Sequence, residues 1–165
     1  MDQSLLTSLA KVATSTPLWV WGIFGYLVLI GIKSTKTHIV FLPRLFLIPA
    51  VFIGTKYKLF ISENYTLIFT YFLLIILGFG IGTFIGNKTS INVLKDIKSI
   101  ELPGTYSFLI ILSCFFSIKY IFGFLYYTNP ELASQYSIIE IGVSGLFSGY
   151  FLGRALSFLR RFIQA

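Results

Sequence analysis

Charge is scarce in this chain. Only 12% of its residues are Asp, Glu, Lys or Arg, against roughly 25% in ordinary soluble domains. Hydrophobic residues make up 56%, and Phe alone occurs 18 times. A soluble domain of 165 residues cannot hide that much apolar surface, whereas lipid solvates it. Acids are the scarcest charges: 6 Asp and Glu stand against 13 Lys and Arg, a net charge of +7. The expected partners of that positive charge are anionic lipid headgroups. Nucleic-acid binding is not expected, because no segment gathers the basic residues on a polar surface. A single cysteine, Cys114, excludes an intrachain disulfide. It lies in an apolar run, Leu112-Ser113-Cys114-Phe115-Phe116, and reads as a small buried packing residue. A single histidine, His38, excludes a bis-histidine haem and a His-rich metal site within one chain. It sits in a short basic loop and reads as solvated. No paired carboxylates, nucleophile beside a base or metal cluster stand out. Enzymatic activity therefore lacks support, and no cofactor or metal is expected.

What the chain does have is long apolar runs. They predict an all-α, polytopic transmembrane helical bundle of five spans. The spans fall near residues 17–32, 39–55, 65–86, 104–127 and 134–158. Their lengths bracket the ~20 residues that a hydrocarbon core of ~30 Å requires. The second span contains Pro43 and Pro49 and is expected to be kinked or broken at its start. Pro17 suits the first position of the first span, with Ser15 or Thr16 as its cap. Residues 1–16 form a separate N-terminal segment. Leu5, Leu6, Leu9, Val12 and Ala13 share one helical face there, which predicts an interfacial amphipathic helix. Asp2 replaces the basic start of a signal peptide, so cleavage is not expected. Residues 17–165 form the membrane domain.

Loop charges predict orientation. One side carries Lys11, Lys56 and Lys58. The other carries Lys33, Lys36, Lys88, Lys95, Lys98, Arg154, Arg160 and Arg161. The positive-inside bias puts the second side in the cytoplasm, so the N-terminus lies outside and the C-terminus inside. Trp19, Trp21, Tyr57, Tyr65, Tyr126, Tyr127 and Tyr136 collect at the predicted outer interface, the depth that amphipathic rings prefer. In loop 87–103, Ile91, Leu94, Ile97 and Ile100 line one side of a short interfacial element, or the loop is a plain connector. Asn64-Tyr65-Thr66 and Asn87-Lys88-Thr89 match the glycosylation pattern. One lies at a membrane edge and the other is predicted cytoplasmic, so both are read as chance.

Two glycine strings follow. Gly78, Gly82 and Gly86 recur four apart near the inner end of span three, and Gly145, Gly149 and Gly153 do so in span five. That spacing puts small residues on one helical face, where backbones approach closely. The two spans run in the same direction. Their glycine faces are expected to pack on each other, or one of them on a homodimer or a partner membrane protein. Gly78-Phe79-Gly80-Ile81-Gly82 is not a dinucleotide loop, because it lies inside an apolar span. Leu42-Pro43 precedes spans two and three as Leu102-Pro103 precedes spans four and five. Each pair ends in a glycine string and a basic residue, the pattern of a parallel two-helix repeat.

Lys119 and Glu140 sit inside spans four and five. Lys119 lies nine positions before Thr128 and Glu140 seven after Ala133, so at ~1.5 Å per residue their depths differ by about 3 Å. Unpaired charges are costly there, so the two are expected to form an ion pair or share a polar cavity. Such a pair either sets the register of the two helices or marks a functional path. Arg44 snorkels to the interface or reaches an anionic headgroup or substrate in the bundle.

Several motifs span nearly the whole chain after residue 15: Thr16-Pro17-Leu18-Trp19-Val20-Trp21, Arg44-Leu45-Phe46-Leu47-Ile48-Pro49, Glu101-Leu102-Pro103-Gly104, Lys119-Tyr120, Asn129-Pro130-Glu131-Leu132-Ala133 and Gly145-Leu146-Phe147-Ser148-Gly149-Tyr150-Phe151-Leu152-Gly153-Arg154. Together they resemble a family of uncharacterised small bacterial inner-membrane proteins. The resemblance implies a bacterial plasma membrane and carries no activity with it. Three function classes remain. A small-solute or ion transporter or channel would use Lys119, Glu140 and Arg44, and is favoured. The alternatives are a non-enzymatic accessory subunit that binds partner helices through its glycine faces, and a lipid-binding protein that uses Arg44 and the basic loop.

Overall fold

A computed structural model describes residues 18–54, 56–61 and 64–165. The expected interfacial helix of residues 1–16, its cap and Pro17 lie outside the described residues. Among the described residues, seven α-helices and three strands follow one another: α1 (Leu18–Lys33), β1 (His38–Phe41), α2 (Arg44–Gly54), α3 (Tyr57–Ile61), α4 (Tyr65–Lys88), β2 (Asn92–Leu94), β3 (Ser99–Leu102), α5 (Tyr106–Thr128), α6 (Pro130–Gln135) and α7 (Ser137–Gln164). The order strand, helix, short helix, long helix thus occurs twice, from β1 to α4 and from β3 to α7.

The most extensive helix contact joins α4 to α7. Its register shows that the two helices are parallel: Gly145 meets the Tyr71 backbone, Gly149 that of Ile75 and Gly153 that of Phe79. From the other side, Gly78 meets Leu146 and Gly82 meets Tyr150. A Cβ on Gly78, Gly82, Gly149 or Gly153 would fall within van der Waals contact of a backbone oxygen opposite, and one on Gly145 would lie 2.6 Å from the Tyr71 oxygen. Only hydrogen fits at these positions. Both glycine faces are therefore consumed inside the chain and are not free for a homodimer or partner helix.

Three polar contacts tie the same seam together. Tyr71, fully buried, lies 3.5 Å from the Ser148 hydroxyl. Ser157 Oγ donates to Asn87 Oδ1 at 2.6 Å, and Arg161 donates to the Thr89 carbonyl. The two asparagines of the glycosylation-like triplets are structural: Asn87 accepts from Ser157, and Asn64 caps α4 by accepting from the Leu67 N–H.

The other helices alternate in direction around this pair. α1 packs antiparallel on α5, with the Phe24 and Phe116 rings 4.9 Å apart and Gly31 against Leu109. Ser34 and Thr35 hydroxyls close the end of α1 by donating to the Gly31 and Ile32 carbonyls. The Thr105 N–H then bonds to the Ser34 carbonyl, which joins that end to the start of α5. Antiparallel to α7, α5 brings Phe115 to Phe147 and Phe108 to Phe151. Phe52 of α2 sits between them, 4.4 Å from the Phe115 ring and 5.6 Å from Phe151.

Two expectations are corrected here. The second apolar segment is not one spanning helix over 39–55. Its first residues pair as β1, and the helix that follows has only 11 residues, a rise of about 16 Å against a core of ~30 Å. Pro43 has no N–H to continue a helix backward, and Pro49 removes another donor inside α2. Nor is the fold purely α. Residues 87–103 form neither an interfacial helix nor a plain connector, but contribute β2 and β3 to an antiparallel sheet of order β1-β3-β2. Val40 and Val93 flank Ile100 in that sheet. Apolar spacing left a short interfacial element and a plain connector open; period-two burial of Ile100 and Leu102 against Phe158 makes a strand instead. Lys98, with φ 49°, makes the left-handed turn between β2 and β3.

Among the described residues, two helices, α4 and α5, are long and apolar enough to cross a membrane. Most of their surface is exposed, including Phe69, Phe72, Ile76, Leu77, Ile81 and Phe84 of α4 and Ile110 and Ile121 of α5. Cys114 lies on that exposed face of α5, not buried as expected. It points away from α7 because Phe115, beside it, takes the inward position.

The glycine seam makes a sharp test. Gly149→Ala should lower stability by about 1–3 kcal/mol, because the new methyl meets backbone and not a flexible side chain. Gly80→Ala, which meets nothing within 4 Å, should be neutral or stabilising by up to ~1 kcal/mol. Thermal unfolding in detergent separates the two.

Candidate functional site

The one buried carboxylate among the described residues is Glu140, in the first turn of α7. Its side chain is 10% exposed and accepts from two lysines. Lys56, between α2 and α3, donates to both carboxylate oxygens, at 2.8 and 2.6 Å. Lys119, from the middle of α5, donates to Oε1 and also to the Ser144 hydroxyl, the latter at 2.6 Å. The Lys56 side chain is 15% exposed and that of Lys119 29%.

Local sequence explains how each group arrives. Ser144 lies one helical turn after Glu140 on the same face of α7. Its hydroxyl donates to the Glu140 backbone carbonyl at 2.7 Å, which leaves its lone pairs for the Lys119 ammonium. Ser148 repeats the pattern a turn later, donating to the Ser144 carbonyl at 2.7 Å. Antiparallel packing of α5 on α7 sets Lys119 level with the Glu140–Ser144 turn. The Lys119 ammonium also stands 5.6 Å from the Phe115 ring centre. On the other side of Glu140, Lys56 is delivered where α2 ends. Leu59, Tyr71 and Ile141 form a small core beside it.

The structure thus brings Lys119 and Glu140 together in an ion pair. It does not bring Arg44 to them. Arg44 is exposed at the first position of α2, next to β1 and the sheet, while Lys56 at the other end of that helix takes the place by Glu140. Sequence reasoning had placed Lys56 in an outer loop. A signal for it was present: the depth argument that aligns Lys119 with Glu140 applies equally to a lysine at the outer end of the second segment. Each lysine also follows a Leu-Pro pair at a comparable distance.

The six repeated glycines lie on the α4–α7 seam. His38 is half-buried at the start of β1, its Nδ1 2.9 Å from the Lys36 carbonyl oxygen. Among the described residues, no group of three His, Cys, Asp or Glu side chains is arranged to hold a metal.

The sheet and the charged cluster lie at opposite ends of α7. Phe158 packs under the sheet and Glu140 holds the lysines; 18 residues separate them, or about 27 Å of helix. Comparison of the chain with family models, with curated proteins and with solved structures finds no match.

Glu140 is the hub, so substitutions at Glu140 and Lys119 should differ in severity. Glu140→Ala leaves two lysine charges facing each other without a counter-ion and should cost about 3–5 kcal/mol. Lys119→Met leaves the Glu140–Lys56 pair intact and should cost less. A double-mutant cycle on Lys119 and Glu140, read by unfolding in detergent, should show a coupling of roughly 0.5–3 kcal/mol; additivity would dismiss the pair as an energetic unit.

Proposed function

We propose that this chain is a multi-pass protein of the bacterial inner membrane that moves a small solute or ion past the Lys56–Glu140–Lys119 cluster, without enzymatic activity. The observation that carries the reading is the cluster itself. Three charged side chains, each less than a third exposed, meet among apolar helices, where charges are expensive and tend to serve ion or substrate paths.

The membrane reading draws on the exposed apolar surfaces of α4 and α5. Such extensive apolar surface suits lipid and not water. The helix directions support a multi-pass reading, with α1, α4 and α7 running one way and α2 and α5 the other. The ~27 Å between sheet and cluster is close to a hydrocarbon core, so the two would lie near opposite interfaces. Lys33, Lys36, Lys88, Lys95, Lys98, Arg160 and Arg161 all belong to the sheet end. The positive-inside bias then makes the sheet end cytoplasmic and the cluster end external. The twofold recurrence of strand, Leu-Pro, helix and glycine-faced helix fits a parallel duplication. The accessory-subunit reading loses its main support, because α4 and α7 spend their glycine faces on each other.

Two measurements test this. A cysteine at Asn129 should react with a membrane-impermeant maleimide applied to spheroplasts, and one at Lys95 only after lysis; the reverse pattern would overturn the orientation. In proteoliposomes, Glu140→Gln and Lys119→Met should each change solute or ion flux at least about tenfold, the change a 1.4 kcal/mol barrier difference produces. Flux unchanged in both variants would remove the cluster from the path.

A further inference from the structure

We infer that the Lys56–Glu140–Lys119 cluster is a binding site for a small monovalent anion, such as chloride or nitrate. The inference rests on the transport reading only for the cluster's place near the outer membrane face. It follows from charge and donor counting. Two ammonium groups and one carboxylate leave a net charge of +1, and no other carboxylate among the described residues bonds to either lysine. Glu140 is the shared acceptor: Oε1 accepts from Lys56 and Lys119 and Oε2 from Lys56. The Ser144 hydroxyl lies 3.3 Å from Oε1 as well. The lysines are not saturated. An ammonium has three N–H donors. Lys56 directs two at the carboxylate, and Lys119 directs one at Glu140 and one at Ser144. Each therefore retains a donor, and both ammoniums are fixed on one carboxylate oxygen. A monovalent anion between them would neutralise the surplus charge and accept both remaining N–H groups. A divalent oxyanion would overshoot the charge, and a metal cation would meet two ammoniums.

The other features lead elsewhere. The notch between α1 and α5, lined by Trp21, Phe24, Phe116 and Tyr120, is apolar and open. The Arg154 guanidinium lies over the Phe158 ring, 5.4 Å away, inside the α4–α7 packing. Arg154 Nε, buried without a hydrogen-bond partner among the described residues, is a lone group; the lysine cluster brings two cations with unspent donors together at a partly accessible place.

The anion is tested on the full chain in a neutral detergent. At constant ionic strength, chloride or nitrate should raise the unfolding temperature saturably relative to gluconate, a bulky and strongly hydrated anion. Lys119→Gln or Lys56→Gln makes the cluster neutral and should weaken the apparent affinity by roughly tenfold or more, the equivalent of 1.4 kcal/mol. Lys119→Arg should retain it. Glu140→Gln raises the net charge and should tighten binding. Chlorine NMR of the unmodified protein supplies a readout that needs no variant: excess line broadening over empty micelles, removed by nitrate, is expected. Equal stability in all three anions, or no excess broadening, overturns the inference. So does anion dependence of the same size in Lys119→Gln. The two proposals fail separately. Anion binding without flux leaves the site and removes transport, and flux of a cation that ignores the anion does the opposite.

Discussion

The close approach of α4 and α7 is the constraint on which the rest depends. Two parallel helices meet backbone to backbone because glycines alternate across the seam, each where the opposite chain leaves room only for hydrogen. Parallel neighbours cannot be joined by a short turn. The chain must cross back between them, and α5 supplies that crossing. Its antiparallel course beside α7 then sets Lys119 opposite Glu140. The glycine register and the ion cluster are thus two consequences of one packing arrangement.

The same helix organises both ends of the molecule. α7 carries more buried residues than any other element, among them Ser144, Ser148 and Ser157, whereas α4 and α5 keep broad apolar surfaces exposed. Small and hydroxyl-bearing residues let neighbours come close and return their own donors to backbone carbonyls one turn back. At one end, Phe158 and Phe162 receive the three-stranded sheet on Ile100 and Leu102. At the other, Glu140 gathers two lysines from segments 63 residues apart in the chain (119 − 56 = 63). A polar-faced helix among apolar ones concentrates the polar chemistry that α4 and α5, with their broad exposed apolar surfaces, do not carry.

Some of this was legible in the sequence because it depends on local spacing. Glycines four apart declare a face, and two such faces on spans of the same direction suggest each other. Lys119 and Glu140, at similar distances from one connecting loop, suggest a pair. The sheet was not legible in that way. Ile91, Leu94, Ile97 and Ile100 fit a helical stripe, and only β1, some 60 residues earlier, makes a strand of residues 99–102 the better use of the same apolar groups. Cys114 was misread for a related reason: an apolar run does not say which of its faces is inward, and Phe115 took that face.

By itself, then, the amino-acid sequence determined that the chain is dominated by apolar helices, that two of them carry glycine faces, and that a lysine and a glutamate lie at matching heights. Those are properties of composition and of 3.6-residue periodicity, which need no partner. Tertiary structure alone decided that the second apolar segment is a strand and a half-length helix, that Lys56 and not Arg44 joins Glu140, and that the glycine faces are closed to outside partners. Each of those outcomes depends on which surfaces meet across long stretches of chain, and pairing of that kind is set by packing, not by any residue's neighbours in sequence.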